Sequence, residues 1–447
     1  MDNNRLNIIM FTNSYTPHVG GVARSVESFA EQYRQFGHRV LIVVPEFSGM
    51  PKNEIDVLRV PALQQFNGSD FAVILPVPGI LKNKLEQFKP HVVHAHQPFL
   101  LGMTALRVAQ VRNLPLVFTH HTLYEQSTHY VPGESPTMQG FAVMLATHYS
   151  NLADLVFAPS ESIARLLQQR GVQTPIDIVP TGLQLERFAN ANGYRFRKSR
   201  NIPSKGFVVG HLGRLAEGKN LSFLATSVVE FITQRQAQQP QRKKHMPKTY
   251  FLLIGSGPAE DLITSIFQRA GLSEQLLKTG DLTPDQVVDA YDSMDVFVFA
   301  SKSETQGMVI SEAMACGIPV VALDAAGTRE LLADQRNGRL LESPSSADFA
   351  EALHWIAEQP ALSRLALSQA ARKTVLQLSI EQTAEQALQL YGRLIRQQTA
   401  LPGKNDHQLK QLLESIKAEW AIIEAIASAS SHSVLDDQRQ GNVIANR

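Results

Sequence analysis

Two glutamates, Glu304 and Glu312, are separated by seven residues in the stretch SETQGMVISE. The apolar run Asp295 to Ala300 before them is the length of a buried strand. Beyond Gly307, Met308, Val309, Met314 and Ala315 recur at helical spacings until Gly317-Ile-Pro319 stops the helix. Val320 to Leu323 then reads as a second buried strand. Glu304 therefore falls at a loop-to-helix junction and Glu312 about two turns further on, where the pair can reach opposite ends of one elongated ligand. Backbone N–H groups from Thr305 to Met308 lack helical partners and suit a phosphate. A random pair of glutamates is more often solvated; the flanking strands and the glycine favour a site here.

A second constellation is Gly213-Arg214-Leu-Ala-Glu217-Gly-Lys219-Asn220, between the strand Phe207 to Leu212 and a helix expected over Leu221–Ile232. Arg214 offers a planar fork and Lys219 a mobile point charge. Together they match a diphosphate leaving group, whose charge grows as its bond breaks; an ordinary surface pair is the alternative. Histidines gather at other strand ends, in His94-Ala-His96-Gln97 and His120-His121-Thr122. Metal binding is disfavoured there, because few carboxylates accompany them. Gly20-Gly21 reads either as a plain turn or as a close backbone approach to a ligand at a helix start. Gly255-Ser-Gly257 is weaker evidence of the same kind. Glu125 is the nearest carboxylate that could act as a nucleophile, with a surface helix position as the competing reading.

The elements that must position these residues alternate strand and helix throughout. Strands are expected near residues 6–11, 39–44, 72–75, 91–95, 116–119, 155–158 and 176–179, then at 207–212, 250–254, 276–279, 296–299 and 320–323. This alternation predicts an α/β protein with parallel sheets and ligands at the strands' C-terminal ends. A chain of 447 residues has room for two such domains. The expected division is a first domain over 1–190, a basic linker over 191–204, a second domain over 205–379, a helix over 380–400, and an extra helix with a polar tail over 401–447. Residues 234–248 are expected to form an exposed loop. No G-x-G-x-x-G follows the first strand, which counts against a dehydrogenase. With 42 basic and 41 acidic residues, no electrostatic case for nucleic acid exists. The single cysteine, Cys316, excludes a disulfide framework and reads as a packed small residue. The N-terminus lacks a signal-peptide core and no run of about 18 apolar residues occurs, so the expected location is the cytosol, with a membrane surface as an option.

The stretch SKSETQGMVISEAMACGIPVVA resembles the nucleotide-sugar motif of the retaining glycosyltransferases of family 4, which have the GT-B fold. Its form is most similar to the subgroup that glucosylates diacylglycerol. The resemblance implies two Rossmann-like domains facing a cleft, with the 380–400 helix returning to the first. It implies that Arg214 and Lys219 hold the diphosphate, Glu304 the transferred sugar and Glu312 the ribose. Gly20, Gly21, Gly255, Leu282, Gln306, Gly307, Met308 and Val309 would line the same donor site. His121, in Thr119-His120-His121-Thr122, would meet the reaction centre, with His96 and Tyr124 on the acceptor side. The implied co-substrate is a UDP- or GDP-sugar and the implied acceptor a lipid or glycan, at the cytoplasmic face of a membrane, with no metal or other cofactor. A sugar-nucleotide epimerase, a phosphorylase and a silent sugar-binding scaffold are the competing functions.

Overall fold

A computed structural model describes residues 5–17, 20–63, 73–74, 78–124, 136–238, 247–302 and 304–398. The first half supplies strands β1 (Asn7–Phe11), β2 (Arg39–Pro45), β3 (Val57–Val60), β4 (Ala62–Leu63), β5 (Val73–Ile74), β6 (Val92–Ala95), β7 (Leu116–Thr119), β8 (Leu155–Ala158) and β9 (Ile176–Ile178). Its helices are α1 (Gly21–Gln35), α2 (Pro78–Phe88), α3 (Leu101–Val111), α4 (Pro136–Leu152) and α5 (Glu161–Gln169). Seven strands pair in parallel in the order β3-β2-β1-β6-β7-β8-β9, while β4 and β5 pair antiparallel apart from them. Burial on both faces explains the unbroken apolar runs: Ile9, Phe11, Leu41 and Val43 enter one core cluster, Ile8, Met10, Val40 and Ile42 the other.

The second half contributes α6 (Leu185–Ala189), α7 (Gly193–Ser199), β10 (Phe207–Leu212), α8 (Leu221–Gln238), β11 (Thr249–Ile254), α9 (Glu260–Arg269), β12 (Leu276–Lys278), α10 (Pro284–Asp292) and β13 (Val296–Phe299). It continues with α11 (Met308–Ala315), β14 (Val320–Leu323), β15 (Gly338–Leu341), α12 (Ser346–Ala357), α13 (Ala361–Leu376) and α14 (Ile380–Gln398). Its six strands are parallel, in the order β12-β11-β10-β13-β14-β15. Strand order reverses between β10 and β13 here and between β1 and β6 in the first sheet. Crevices open at such switch points, at the strands' C-terminal ends. The loops that leave these four strands carry Arg214, Glu304, Gly20 and His96. Topology alone thus brings the candidate residues to two facing sheet ends.

Two expectations are corrected. The basic stretch 191–204 is not a solvated linker. Most of it folds as α7 against the second domain, with Phe196 in that domain's core. Arg195 Nε donates to Asp289 Oδ2 at 2.7 Å and Arg197 Nη2 to Asp295 Oδ2 at 2.9 Å. Positive charge that reads as linker solubility is spent on carboxylates nearly a hundred residues away. Likewise, the helix expected to end at Ile232 runs on to Gln238, because Arg235 is buried with its guanidinium over the rings of Phe207 and Phe231. Residues 239–246, the segment around Glu125 and the helix expected over 407–427 lie outside the described residues. Among the described residues, no helix is long and apolar enough to cross a membrane.

The chain passes between domains twice, and the two passages lie side by side. Leu183 N donates to Leu378 O at 2.8 Å and Ile380 N to Leu183 O at 2.9 Å. From there α14 returns to the first domain, where Ala384, Ala387 and Tyr391 join the core cluster of β1 and β2. Gly182 makes this approach possible: a Cβ there would sit 2.4 Å from Ile380 Cα and 2.3 Å from Thr383 Oγ1. Gly182→Ala is therefore expected to destabilise the protein by about 1–3 kcal/mol. Gly140→Ala, with nothing within 4 Å in the helix α4, is expected to stabilise by about 0.5–1 kcal/mol. Thermal melts of both variants check the pair; equal melting temperatures would show that the passages are not close-packed.

Candidate active site

Three backbone loops of the second domain meet beneath the cleft. Leu215 N donates to Ser256 O at 2.9 Å, and Gly255 N donates to Gly280 O at 3.0 Å. Gly213–Leu215, Gly255–Gly257 and Thr279–Leu282 thereby form one continuous floor, with Leu282 packed on the domain core. Arg214 is exposed on it, and Lys219 ends the single 3-10 turn that follows. Lys219 Nζ makes an ion pair with Glu304 Oε1, which joins the two sequence constellations directly.

The helix that carries Glu312 begins at Gly307, whose φ of +71° is open to glycine and costly for other residues. A Cβ at Gly307 would also stand 2.9 Å from Gly327 O. Among the described residues, the N–H groups of Gly307, Met308 and Val309 have no acceptor in the chain. Unpaired N–H groups at a helix start are suited to an anion. Across from this helix start lies the start of α1: a Cβ on Gly21 would be 4.0 Å from Met308 Sδ, whereas one on Gly20 would touch nothing within 4 Å. Glu312 itself is 7% exposed and has both oxygens engaged. Tyr291 Oη donates to Oε2 at 2.8 Å, and Arg24 Nη1, from the opposite domain, donates to Oε1 at 3.1 Å.

Gln306 is bonded to the passage between the domains. Its Nε2 donates to Thr181 O and its Oε1 accepts from Thr181 N, both at 2.8 Å. The side chain is tied to the interdomain passage by one amide N–H and one oxygen lone pair, with one of each left over. The residues on either side of the loop are also tied across the cleft. Thr305 Oγ1 donates to His121 O at 2.9 Å, and Ser160 Oγ donates to Thr305 O at 2.7 Å.

On the first-domain side, three imidazoles stack. Ring centroids of His94 and His96 are 4.2 Å apart and those of His96 and His121 5.1 Å apart. His96 Nδ1 and His121 Nε2 share a hydrogen bond of 2.9 Å. His94 is held from behind by Tyr391 Oη at 2.7 Å from Nδ1 and by Thr119 Oγ1 at 2.7 Å from Nε2. Burial lowers the pKa of His94 and His121 to about 3 and puts His96 well below its ordinary value, so all three imidazoles are neutral near pH 7. His121 as a residue is half-buried. Tyr124 does not reach the cleft. Its ring lies against His120 and Phe99, and among the described residues its buried hydroxyl and both ring nitrogens of His120 have no partner. Cys316 is buried with its thiol pushed up to about 12 by that burial, so it supplies no thiolate nucleophile.

Arg24, Tyr291 and Thr181 are residues of the cleft that sequence patterns did not single out, whereas Ser160 stood out by its place at the end of β8. Arg24 carried one usable signal, its place three residues after Gly21 in the first turn of α1. The resulting cleft holds anion-binding N–H groups, two cations and two carboxylates on one wall, and neutral imidazoles on the other. It can bind a ligand that is anionic at its centre and rich in hydroxyls at its ends.

Comparison with known proteins agrees with this geometry. The family model described as Glycosyltransferase Family 4 matches residues 19–187, and that described as Glycosyl transferases group 1 matches residues 194–374. The alpha-monoglucosyldiacylglycerol synthase of Streptococcus pneumoniae is 24% identical over 348 residues, 75% of either chain. The GDP-mannose-dependent alpha-mannosyltransferase of Mycobacterium tuberculosis is 29% identical over 345 residues, 75% of this chain and 83% of the relative. Among solved structures, Anabaena HepE in complex with UDP superposes with a TM-score of 0.67 at 20% identity, over 87% of this chain and all of that one. With one family model on each domain and the fold shared, the chain belongs to the group 1 glycosyltransferases of GT-B fold and is a hexosyltransferase that uses nucleotide sugars.

Proposed function

We propose that the protein transfers glucose from UDP-glucose to a diacylglycerol-type lipid, with the anomeric configuration retained, at the cytoplasmic surface of a membrane. The observation that carries this reading is the joined pair Lys219–Glu304 beside Thr305, whose hydroxyl bonds the His121 carbonyl. Donor carboxylate, phosphate-binding cation and acceptor-side histidine thus occupy one bonded cluster. Glucose and a lipid acceptor are supported by the pneumococcal relative's name, and the same motif form stands in SKSETQGMVISEAMACGIPVVA. The mycobacterial relative supports a second reading, mannose carried on GDP.

In this reading, Gly307, Met308 and Val309 N–H groups, with Lys219 and Arg214, hold the diphosphate and stabilise the charge that builds on it as the glycosidic bond breaks. Glu304 accepts from sugar hydroxyls and Glu312 from the ribose. His121, neutral, orients the sugar by hydrogen bonding. The acceptor hydroxyl attacks on the face the phosphate leaves, and the departing phosphate oxygen takes its proton. No enzyme carboxylate needs to be a nucleophile. A panel of UDP- and GDP-hexoses against diacylglycerol vesicles, with products identified by mass and anomeric configuration, tests the assignment. Transfer to a soluble glycan alone would remove the lipid, and transfer from GDP-mannose alone would remove the glucose.

Glu304→Gln and Lys219→Ala are each expected to lower kcat about a hundredfold or more while the protein keeps its melting temperature within a few degrees. Unchanged turnover in both variants would dismiss the site.

The neutral histidines give a pH signature. Because the folded pKa of His121 is lowered to about 3, kcat should show no histidine inflection near pH 6.5. Stability should behave differently. Below pH 6.5 the unfolded chain binds protons that the buried imidazoles refuse, so each histidine removes up to about 1.4 kcal/mol per pH unit as pH falls from 6.5 towards about 3. Turnover and melting measured together from pH 7.5 to 5.5 check both signs. An activity loss centred at 6.5, without a fall in melting temperature, would mean that His121 titrates.

A further inference from the structure

The cleft balances its charges in pairs: Glu304 with Lys219 inside the second domain, Glu312 with Arg24 across the gap. If Glu312 is to take two ribose hydroxyls, as the preceding reading requires, Arg24 must leave it. Tyr291 already covers Oε2 from the core side at 2.8 Å, so the oxygen facing the cleft is the one Arg24 occupies. A displaced guanidinium in a half-closed cleft needs a new anion, because an unpaired charge there is costly. The nearest anion position is the start of α11, four residues before Glu312, about 6 Å away along the helix. Arg24 sits in the first turn of α1, with Gly21 packed towards Met308 at that same helix start. The guanidinium can make this move by side-chain rotation while its backbone stays fixed by the bond from Arg24 N to Gly20 O at 3.0 Å.

We propose that Arg24 is a donor-binding residue contributed by the first domain. In the empty cleft it neutralises Glu312, and on nucleotide binding it passes to the diphosphate. Glu312 and the diphosphate exchange a cation, so ribose and phosphate groups are recognised together. A nucleoside must break the Arg24–Glu312 pair without supplying a replacement anion, whereas a nucleoside diphosphate supplies one. Arg24 thereby selects for the charged nucleotide and ties its occupancy to domain closure.

The test is titration calorimetry of wild type, Arg24→Ala and Arg24→Lys with uridine and UDP, and with guanosine and GDP. Arg24→Ala is expected to bind the nucleoside about threefold more tightly, since the half-exposed ion pair no longer competes for Glu312. It should bind the diphosphate about tenfold or more weakly, having lost a charge-assisted contact. Arg24→Lys, which keeps the charge and is the safer variant for folding, should fall between. If alanine changes nucleoside and diphosphate affinity by the same factor, Arg24 is only a clasp between domains and the exchange is refuted; no change in either refutes it as well. A wild-type protein that binds neither diphosphate would instead remove the nucleotide-site reading beneath it.

Discussion

The amide of Gln306 bonds both backbone atoms of Thr181, and much of the molecule's organisation depends on that contact. Thr181 belongs to the passage between domains, and Gln306 lies between Glu304 and Gly307 in the loop that opens the anion site. The hinge and the donor loop are therefore in direct contact. A buried amide that lost either partner would leave an unsatisfied polar group, at a cost of about 1–3 kcal/mol. The position of the loop is thus fixed relative to the first domain as well as its own. Thr305 and Ser160 reinforce this on the adjacent residue, which brings the His121 carbonyl to the donor wall.

The first domain answers with rigidity of another kind. Tyr391 reaches from α14 to His94, Tyr33 Oη lies 3.3 Å from Tyr391 Oη, and His94 stacks on His96, which bonds His121. The returning helix therefore supports the acceptor-side histidine from behind. Burial that keeps these imidazoles neutral also suits them to a cleft already containing cations. A charged histidine there would add to the positive charge that Lys219 and Arg214 already bring to the cleft.

Much of this architecture was legible in the residues. Continuous apolar runs such as Ile8–Phe11 and Val320–Leu323 announced doubly covered parallel strands, and Gly307 before Met308 announced the start of α11. Glu304 and Lys219 each stood out within its own motif, although the ion pair between them did not. What stayed hidden was every interaction whose partner is distant in sequence. Arg24 meets Glu312 across 288 residues, and nothing near either one encodes the other. Gln306 reads as a donor ligand from its place in the loop, and its bonds to Thr181, 125 residues away, are invisible there. Arg195 and Arg197 looked like solvated charge because Asp289 and Asp295 become visible as partners only once α7 is folded onto β10 and α10. Tyr124 was drawn to the site by its closeness to His121 along the chain, but its ring is buried against Phe99 and His120.

Magnitudes indicate where such a molecule can open. The apolar face of α14, with Ile380, Ala384, Ala387, Tyr391 and Leu394, is buried in the first domain. Each large side chain there contributes about 1.5–3 kcal/mol, so α14 moves with that domain. The seam between the domains is made mostly of polar contacts: Arg24 to Glu312, Ser160 to Thr305, Thr305 to His121 and Gln306 to Thr181. Water can replace each of these at a net cost of about 0.5–1.5 kcal/mol. A seam of this kind separates more readily than an apolar one, and its weakest member is the half-exposed Arg24–Glu312 pair. The cheapest of these interdomain contacts thus falls on Glu312, a carboxylate at the cleft, so whatever engages that carboxylate also acts on the seam.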